Sequence, residues 1–184
     1  MPPAPAAPTQ NFVVISVVGP EHPRLVERVS RAVFDCGCRL GDSRLTAIGG
    51  QAVFALAAHG EWNNLARLET ALKRVEQKLG LQISLRRVGE AKERDNLLPY
   101  LVEVVSLDHP GILNQLAEFF AEREIGLLEV ATHAYQAAHT GSRMFSVTMT
   151  VGIPADLSIA SLRDEFFDRC DQLNLDAIME PIKG

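Results

Sequence analysis

Two segments of the chain, 87 residues apart, carry nearly the same sequence. Residues 17–26 read VVGPEHPRLV and residues 104–113 read VVSLDHPGIL. In both, a Val-Val pair and a His-Pro turn precede a run with apolar residues at helical spacing. An internal repeat indicates that one structural unit occurs twice. Because 184 residues suffice for two small domains, the repeat predicts two domains of the same fold.

The apolar pattern of each copy predicts the order strand, helix, strand, strand, helix, strand. In the first copy the predicted strands are 12–18, 38–48, 51–59 and 81–85, and the predicted helices are 24–36 and 62–79. In the second copy the predicted strands are 99–106, 126–136, 143–151 and 175–182, and the predicted helices are 110–124 and 157–173. Gly80 and Asn174 follow the second helix of each copy, where a residue in the left-handed conformation commonly ends a helix.

This order of elements predicts an α+β protein made of two tandem ferredoxin-like βαββαβ units. Each unit has a four-stranded antiparallel sheet with two helices on one face. The predicted domains are residues 11–88 and 98–184, with a flexible tail at 1–10 and a polar linker at 89–97. The other face of each sheet is open, and we expect apolar residues such as Val53, Leu56 and Val147 to need cover there.

Composition and motifs narrow the possible functions. The net charge of −5 disfavours direct nucleic-acid binding. No apolar run approaches the ~20 residues of a membrane span, and the Pro/Ala-rich start is a poor signal peptide, so we expect a cytoplasmic protein. Three cysteines and five scattered histidines form no recognisable metal-ligand spacing, and no catalytic motif is found. We therefore predict neither an enzyme nor a cofactor or metal site, and we expect reduced, mostly buried thiols.

The turn between the first strand and first helix of the second copy has the composition of a small-ligand site. Pro110 suits a first helical turn, and Asp108 or His109 is placed to cap the helix. Gly111 lets a ligand approach the backbone closely. The positive end of the helix dipole favours a carboxylate there, as in an amino acid. The alternative is that these residues only turn the chain and cap the helix.

The βαββαβ unit with a D-x-P-G-[LI]-[LV] turn resembles the ACT domain, a regulatory module that often binds amino acids at module interfaces. More narrowly, residues 32–65 resemble the glycine cleavage system transcriptional repressor family through C-G-C, D-S-R-L and G-x-W-N. That family has two ACT domains and no catalytic domain. The resemblance implies a cytoplasmic regulator that represses glycine-cleavage genes by acting on a DNA-binding activator, with glycine or serine as the signal.

The same resemblance implies which residues bind the ligand. In the second copy they are Asp108, His109, Pro110, Gly111, Ile112, Leu113 and Gly126. In the first copy they are Glu21, His22, Arg24 and Arg39. Arg24 replaces the family's glycine, and it either fills the ligand space or clamps a carboxylate with its guanidinium. Arg39 and Gly126 replace the asparagine that commonly opens the second strand. The second copy is therefore the better candidate.

The second strand of the first copy is predicted to face a partner module, and two other functions are considered. Asp42, Ser43 and Arg44 are expected at an interface with a partner module, the alternative being a plain cross-strand pair. We expect a homo-oligomer or an intramolecular ACT pair. The alternative function is a detached regulatory subunit that docks on an enzyme of amino-acid metabolism. An enzyme is disfavoured because both copies are used in building small domains.

Overall fold

The computed structural model describes residues 11–90 and 96–182, so the predicted tail (1–10), the middle of the predicted linker (91–95) and residues 183–184 lie outside the described residues. The chain divides into two compact units, Met1–Lys92 and Glu93–Gly184, here called the first and the second unit. No helix in the described part of the chain is both long enough and apolar enough to cross a membrane.

Both units have the predicted element order. The first unit contains β1 (Asn11–Pro20), α1 (Leu25–Asp35), β2 (Arg39–Ile48), β3 (Gln51–Gly60), α2 (Trp62–Leu79) and β4 (Gln82–Val88). The second unit contains β5 (Leu97–Leu107), α3 (Ile112–Ala121), β6 (Gly126–Gln136), β7 (Arg143–Pro154), α4 (Ile159–Gln172) and β8 (Asp176–Pro181). The predicted α+β fold class is thus confirmed.

The sheets of the two units have the same topology. Strand order is β2-β3-β1-β4 in the first and β6-β7-β5-β8 in the second, and all neighbouring strands are antiparallel. The first strand of each unit is central and its second strand lies at an edge. In the first unit, Pro20 and Ile48 both pair with Gln51 of β3, so the turn after the first strand and the last residues of β2 lie at the same end of the sheet, where the candidate site is found.

One face of each sheet carries a separate hydrophobic core. In the first unit, alternate residues of β1 (Val13, Ile15 and Val17) are fully buried under α1 and α2. The second core is richer in aromatic residues, because α3 and α4 contribute Phe119, Phe120 and Phe166. This alternation follows from the two-residue period of a strand, which sends successive side chains to opposite faces.

The expectation that Leu56 and Val147 lie on the open face is wrong. Both are buried in the cores, at 2% and 1% exposure. Leu56 is three residues from Val53, and residues an odd number apart in a strand point to opposite faces. Val53 pairs with Val18, which is 38% exposed, so Val53 does lie on the open face.

The second helix of each unit is followed by a residue in the predicted left-handed conformation. Gly80 ends α2 with φ +63°, and its N–H donates to the Glu76 carbonyl. Asn174 after α4 has φ +53°, so both left-handed residues are confirmed. The Gly49-Gly50 hairpin also takes positive φ at both positions, which is the condition for a tight two-residue turn.

Candidate functional site

The turn between β5 and α3 leaves space in front of a helix N-terminus. Gly111 is the N-cap of α3, with φ +95° and ψ −4°, a conformation that L side chains rarely adopt. A Cβ built at Gly111 would meet only the Gln115 Nε2 atom, at 4.0 Å. The sequence therefore places glycine where the backbone needs it and where a side chain would occupy the helix entry.

The first turn of α3 offers hydrogen-bond donors to a ligand. The first N–H groups of any α-helix lack an acceptor within the helix, and α3 has no side-chain cap among the described residues. These amides combine with the positive end of the helix dipole to favour an anion. Within the turn itself, Gln115 N donates to the Gly111 carbonyl at 2.9 Å, which fixes the helix entry.

Asp108 does not cap α3 as predicted; it joins the turn to β7 instead. Its carboxylate lies 3.2 Å from the Arg143 guanidinium, and its N–H donates to the Arg143 carbonyl at 2.9 Å. The side chain of Arg143 is 74% exposed and that of Asp108 is 27% exposed. His109 does not cap the helix either, since its Nδ1 lies 3.2 Å from the Pro110 carbonyl oxygen. The two predicted cap roles are wrong because Gly111 takes the cap position.

Two residues near this turn were not predicted from the sequence. Arg143 is brought there by the β5–β7 register, in which Leu107 pairs with Met144. Gln115 follows Gly111 by four residues, which places it one helical turn further on the same face. Its Oε1 atom is buried and has no hydrogen-bond partner among the described residues. The helical spacing from Gly111 could have identified Gln115. Arg143 could be identified only if the register of β7 against β5, and hence the length of the β6–β7 loop, were known.

The equivalent turn of the first unit has a different backbone. Arg24 is the N-cap of α1, with φ −97° and ψ 7°, a conformation open to any L residue. His22 organises this turn: its carbonyl accepts from Leu25 N and its Nδ1 accepts from Arg24 N, both at 3.0 Å. The backbone therefore explains why arginine replaces glycine here.

A cavity of about 620 Å³ lies beside the turn of the first unit. It is bounded by the turn, the first residues of α1 and the end of the β2–β3 hairpin. Its lining consists of Glu21, His22, Pro23, Leu25, Val26, Leu45, Thr46, Ala47 and Ala52. Arg24 is exposed and is not among these residues, so both roles suggested for it, filling the ligand space and clamping a carboxylate, remain predictions.

Arg39 and Gly126 lie far from the turn of their own unit. Arg39 opens β2 and pairs with His59, whereas the turn follows Pro20, which pairs with Gln51. Eight residues of extended β3 separate these partners, about 27 Å. Gly126 pairs with Gly152, which is likewise eight residues from Met144, the partner of Leu107. Within one unit the structure does not bring either residue to the predicted ligand.

The predicted interface residues lie on an edge strand. The register of β2 against β3 shifts between Leu40 and Ser43, so Asp42 falls in a bulge. Asp42 and Arg44 are exposed, Ser43 is half-buried, and Arg44 Nη1 donates to the Ser43 carbonyl at 3.2 Å. Edge strands present unpaired backbone groups to other chains. The interface role remains a prediction.

A second, polar cavity of about 380 Å³ lies between α3 and α4. Arg123 bridges its two helices: its guanidinium lies 2.7 Å from Glu165 and stacks 3.8 Å from the Phe119 ring centroid. Hydrogen bonds from Arg123 and Ser161 lower the pKa of Glu165. Arg123 thus already forms ion pairs with two carboxylates of this lining, Glu122 and Glu165, and the pair with Glu165 links the two helices.

The three cysteines are buried. Cys36, Cys38 and Cys170 are free thiols, and burial raises the pKa of Cys38, while burial followed by the nearby Asp171 charge raises the pKa of Cys170 to about 11. Among the described residues, no group of three or more His, Cys, Asp and Glu side chains is arranged to hold a metal ion. The predicted burial of the thiols is confirmed.

Comparison with known proteins identifies the fold of this site. Residues 11–86 match the model of the ACT domain. The first unit therefore resembles an ACT domain. The second unit repeats its topology, so the chain has a tandem ACT-like architecture. A crystal structure of a candidate glycine cleavage system transcriptional repressor superposes with a TM-score of 0.77 at 24% identity, covering 96% of this chain and 99% of that one. A protein of unknown function from Galdieria sulphuraria gives 0.76 at 21% identity, covering 95% and 99%.

Curated relatives resemble the chain over most of its length. The glycine cleavage system transcriptional repressors of Escherichia coli (strain K12) and Shigella flexneri are each 25% identical over 166 residues. The match covers 90% of this chain and 87% of each relative. The chain therefore resembles these repressors over most of its length and not only through the residues that match the ACT model.

Proposed function

We propose that this chain is a non-enzymatic, cytoplasmic regulator that senses a small amino acid, glycine or serine, and represses transcription by binding a DNA-binding activator. The observation that carries the proposal is the resemblance to glycine cleavage system transcriptional repressors over 90% of the chain. Two ACT-type units account for nearly all of that length, and they leave no third domain for catalysis or DNA binding in the described residues.

The turn of the second unit supports the sensing part of the proposal. A free amino acid carries a carboxylate, and the uncapped first turn of α3 provides amide donors and a favourable dipole for it. Gly111 keeps the approach open. Gln115 Nε2, which lies 4.0 Å from a Cβ built at Gly111, is a further donor for a carboxylate beside this entry. A ligand that binds there favours whichever packing of the protein it contacts best, and that differential affinity is the regulatory signal.

The cavity of the first unit is a second candidate site for the same function. Its lining is mainly aliphatic, and Glu21, His22 and Thr46 supply polar groups. Such a composition fits an amino acid with a larger apolar side chain than glycine. The two turns then differ in ligand, since only the second has the open glycine entry.

The test is thermal unfolding with a panel of amino acids, glycine and serine first. A ligand at about 100 times its Kd stabilises by ~2.7 kcal/mol, a measurable shift in Tm. Gly111→Val should abolish the shift because a branched side chain then stands at the helix entry. Gly141→Val is the matched control, since Gly141 also has positive φ and open space but lies in the β6–β7 loop.

A third variant separates the two candidate sites. Ala47→Leu adds bulk to the cavity of the first unit at an exposed position. If Ala47→Leu removes the shift and Gly111→Val does not, the ligand binds in the first unit. If no amino acid changes the Tm of the wild-type chain, the sensing part of the proposal is wrong.

The partner part of the proposal requires a separate experiment. The chain is immobilised and offered the purified transcriptional activator of the glycine-cleavage genes, with and without glycine. Specific binding that changes with the amino acid supports the proposal. Retention of an enzyme of amino-acid metabolism from the same cells, with no effect on transcription, would instead support a detached regulatory subunit.

A further inference from the structure

The two sheets each have one face that no helix of their own unit covers. On the first, residues that alternate with the buried positions of β1 are partly exposed, including Val14 and Val18 at 38% each. The strand registers place the arginines of the neighbouring strands on the same side. We define the first open face by Val14, Val18, Val88, Arg39, Arg44 and Arg86.

The charge on the first open face is positive. Arg86 pairs with Val14, and Arg44 pairs with Ala55, which in turn pairs with Ser16 of β1. Arg39 lies in the row of His59 and Phe12 at the far end of the sheet. None of the paired positions of this face, among the described residues, is an aspartate or a glutamate; Asp42 lies in the β2 bulge.

The corresponding face of the second sheet is negative. Glu103 lies on the central strand and pairs with Ile178, while Asp176 and Glu180 lie on either side of Ile178 on the same face. Apolar residues such as Leu101 and Val105 separate the carboxylates. We define the second open face by Leu101, Glu103, Val105, Asp176, Ile178 and Glu180. In the described residues its paired positions contain no lysine or arginine.

The opposite charges extend to the whole units. Residues 11–90 contain eleven Lys and Arg against eight Asp and Glu, a net charge of +3. Residues 96–182 contain four Lys and Arg against thirteen Asp and Glu, a net charge of −9. A chain with a net charge of −5 thus carries two patches of opposite sign, each on a partly apolar sheet surface. Opposite potentials and apolar area together are typical of surfaces that bind each other.

We propose that the first open face binds the second open face of another copy of this chain. Contact between two first faces would place arginines against arginines, and contact between two second faces would place carboxylates against carboxylates. Both of these contacts are unfavourable because like charges repel, whereas contact between a first open face and a second open face is attractive. A two-fold pair of chains makes the favourable contact twice, which is why the occupant is a second copy. This inference does not depend on the ligand or on the proposed repressor function.

The first measurement is the molar mass of the full chain by light scattering at low salt. We expect a dimer or larger assembly whose dissociation constant rises with ionic strength, because added salt screens charges more than about 10 Å apart at 0.1 M. A monomer at all concentrations up to about 100 µM, the range of weak interfaces, overturns the proposal.

Two charge-reversal variants identify the faces. In the acidic variant, Arg39→Glu and Arg86→Glu make both faces negative. In the basic variant, Glu103→Lys, Asp176→Lys and Glu180→Lys make the second face positive, since Glu129 of β6 is then its one remaining carboxylate among the described paired positions. Each variant alone should associate about ten-fold more weakly, or not at all, since like charges then meet. Circular dichroism checks that each variant is folded.

Mixing the two variants is the decisive step. A first face of the acidic variant is complementary to a second face of the basic variant, and the reverse pairing is complementary too. An equimolar mixture should therefore form a mixed dimer of near wild-type affinity, although neither variant dimerises alone. A mixture that remains monomeric overturns the proposal, because reversal then acted without a contact between copies.

Control variants carry the same charge changes on the helical side of each unit. Lys73→Glu with Arg74→Glu on α2 matches the acidic variant, and Asp164→Lys, Asp168→Lys and Asp171→Lys on α4 match the basic one. All five positions are exposed. Both controls should keep the wild-type mass. If they dissociate as the face variants do, net charge and not the open faces governs association, and the proposal is wrong.

Discussion

The two units share one topology, but the turn between the first strand and the first helix is stabilised by different contacts in each. In the second unit an ion pair between Asp108 and Arg143 ties the turn to the neighbouring strand, and the helix entry is left open by glycine. In the first unit the equivalent turn is held by His22, and a cavity lies beneath it. A repeated sequence pattern thus preserved the fold while the surface available to a ligand changed.

The backbone of one residue separates the two turns. Gly111 has φ +95° and Arg24 has φ −97° at equivalent places before the first helix. A non-glycine residue at positive φ costs ~1–2 kcal/mol, so arginine is compatible with the first turn and not with the second. The two turns thus share the His-Pro pair and differ in backbone conformation at the next residue, where arginine stands in place of glycine.

The cores provide the largest expected difference between the units. Phe166 is fully buried, with its ring 5.4 Å from Phe119 and 5.5 Å from Phe120. Phe166→Ala should lower the free energy of unfolding of the second unit by ~3–5 kcal/mol, since it removes buried area and leaves a cavity. Denaturant unfolding followed by Trp62 fluorescence, which reports the first unit, and by circular dichroism, which reports both, should then show two separate transitions.

If Phe166→Ala instead gives a single unfolding transition, shifted equally in fluorescence and circular dichroism, the two cores do not unfold independently. Leu68→Ala, at a fully buried position on α2, is the reciprocal variant and should lower the stability of the first unit by ~2–5 kcal/mol.

The thiols provide a second difference, readable in reaction rates. Burial and the Asp171 charge raise the pKa of Cys170 to about 11 from its ordinary value of 9.0. A raised pKa favours the neutral thiol, so below pH 9 the reactive thiolate is about 100-fold scarcer than for a free cysteine. In a Cys36→Ala, Cys38→Ala background, Cys170 should react at least that much more slowly with a thiol reagent at pH 8 than after denaturation. Equal rates would show that Cys170 is not buried.

Much of the fold was predictable, because strand and helix periods repeat along the chain. The alternation of Val13, Ile15 and Val17 marks one buried face, and helix ends carry Gly80 and Asn174. The sites were less predictable. Nothing local to Asp108 indicates that its partner is 35 residues away, since that contact depends on hairpin register. Likewise, the sequence of the first turn does not reveal the cavity beside it, because part of the cavity wall comes from β2, which is distant in sequence.

The helix ends allow a smaller test of the same comparison. Gly80 has φ +63° with no atom within 4 Å of an added Cβ, so Gly80→Ala introduces strain without a clash. We expect a loss of ~1–2 kcal/mol in the stability of the first unit. Asn174→Ala should cost the second unit less, because Asn174 already bears a Cβ at φ +53°. Equal losses in urea unfolding would mean that backbone strain does not govern these two helix ends.

The ion pair of the second turn should contribute the least to stability, although it distinguishes the two turns. Its arginine is mostly exposed, and exposed pairs contribute ~0.2–1 kcal/mol. Asp108→Ala and Arg143→Ala, combined in a double-mutant cycle, should give a coupling energy in that range. Glu21→Ala is the control, since Glu21 makes no ion pair with the described residues of the first unit. The coupling should fall as salt is added, because the guanidinium is open to screening. A coupling that salt leaves unchanged would mean that the backbone bond from Asp108 N to the Arg143 carbonyl, and not the charge pair, closes this turn.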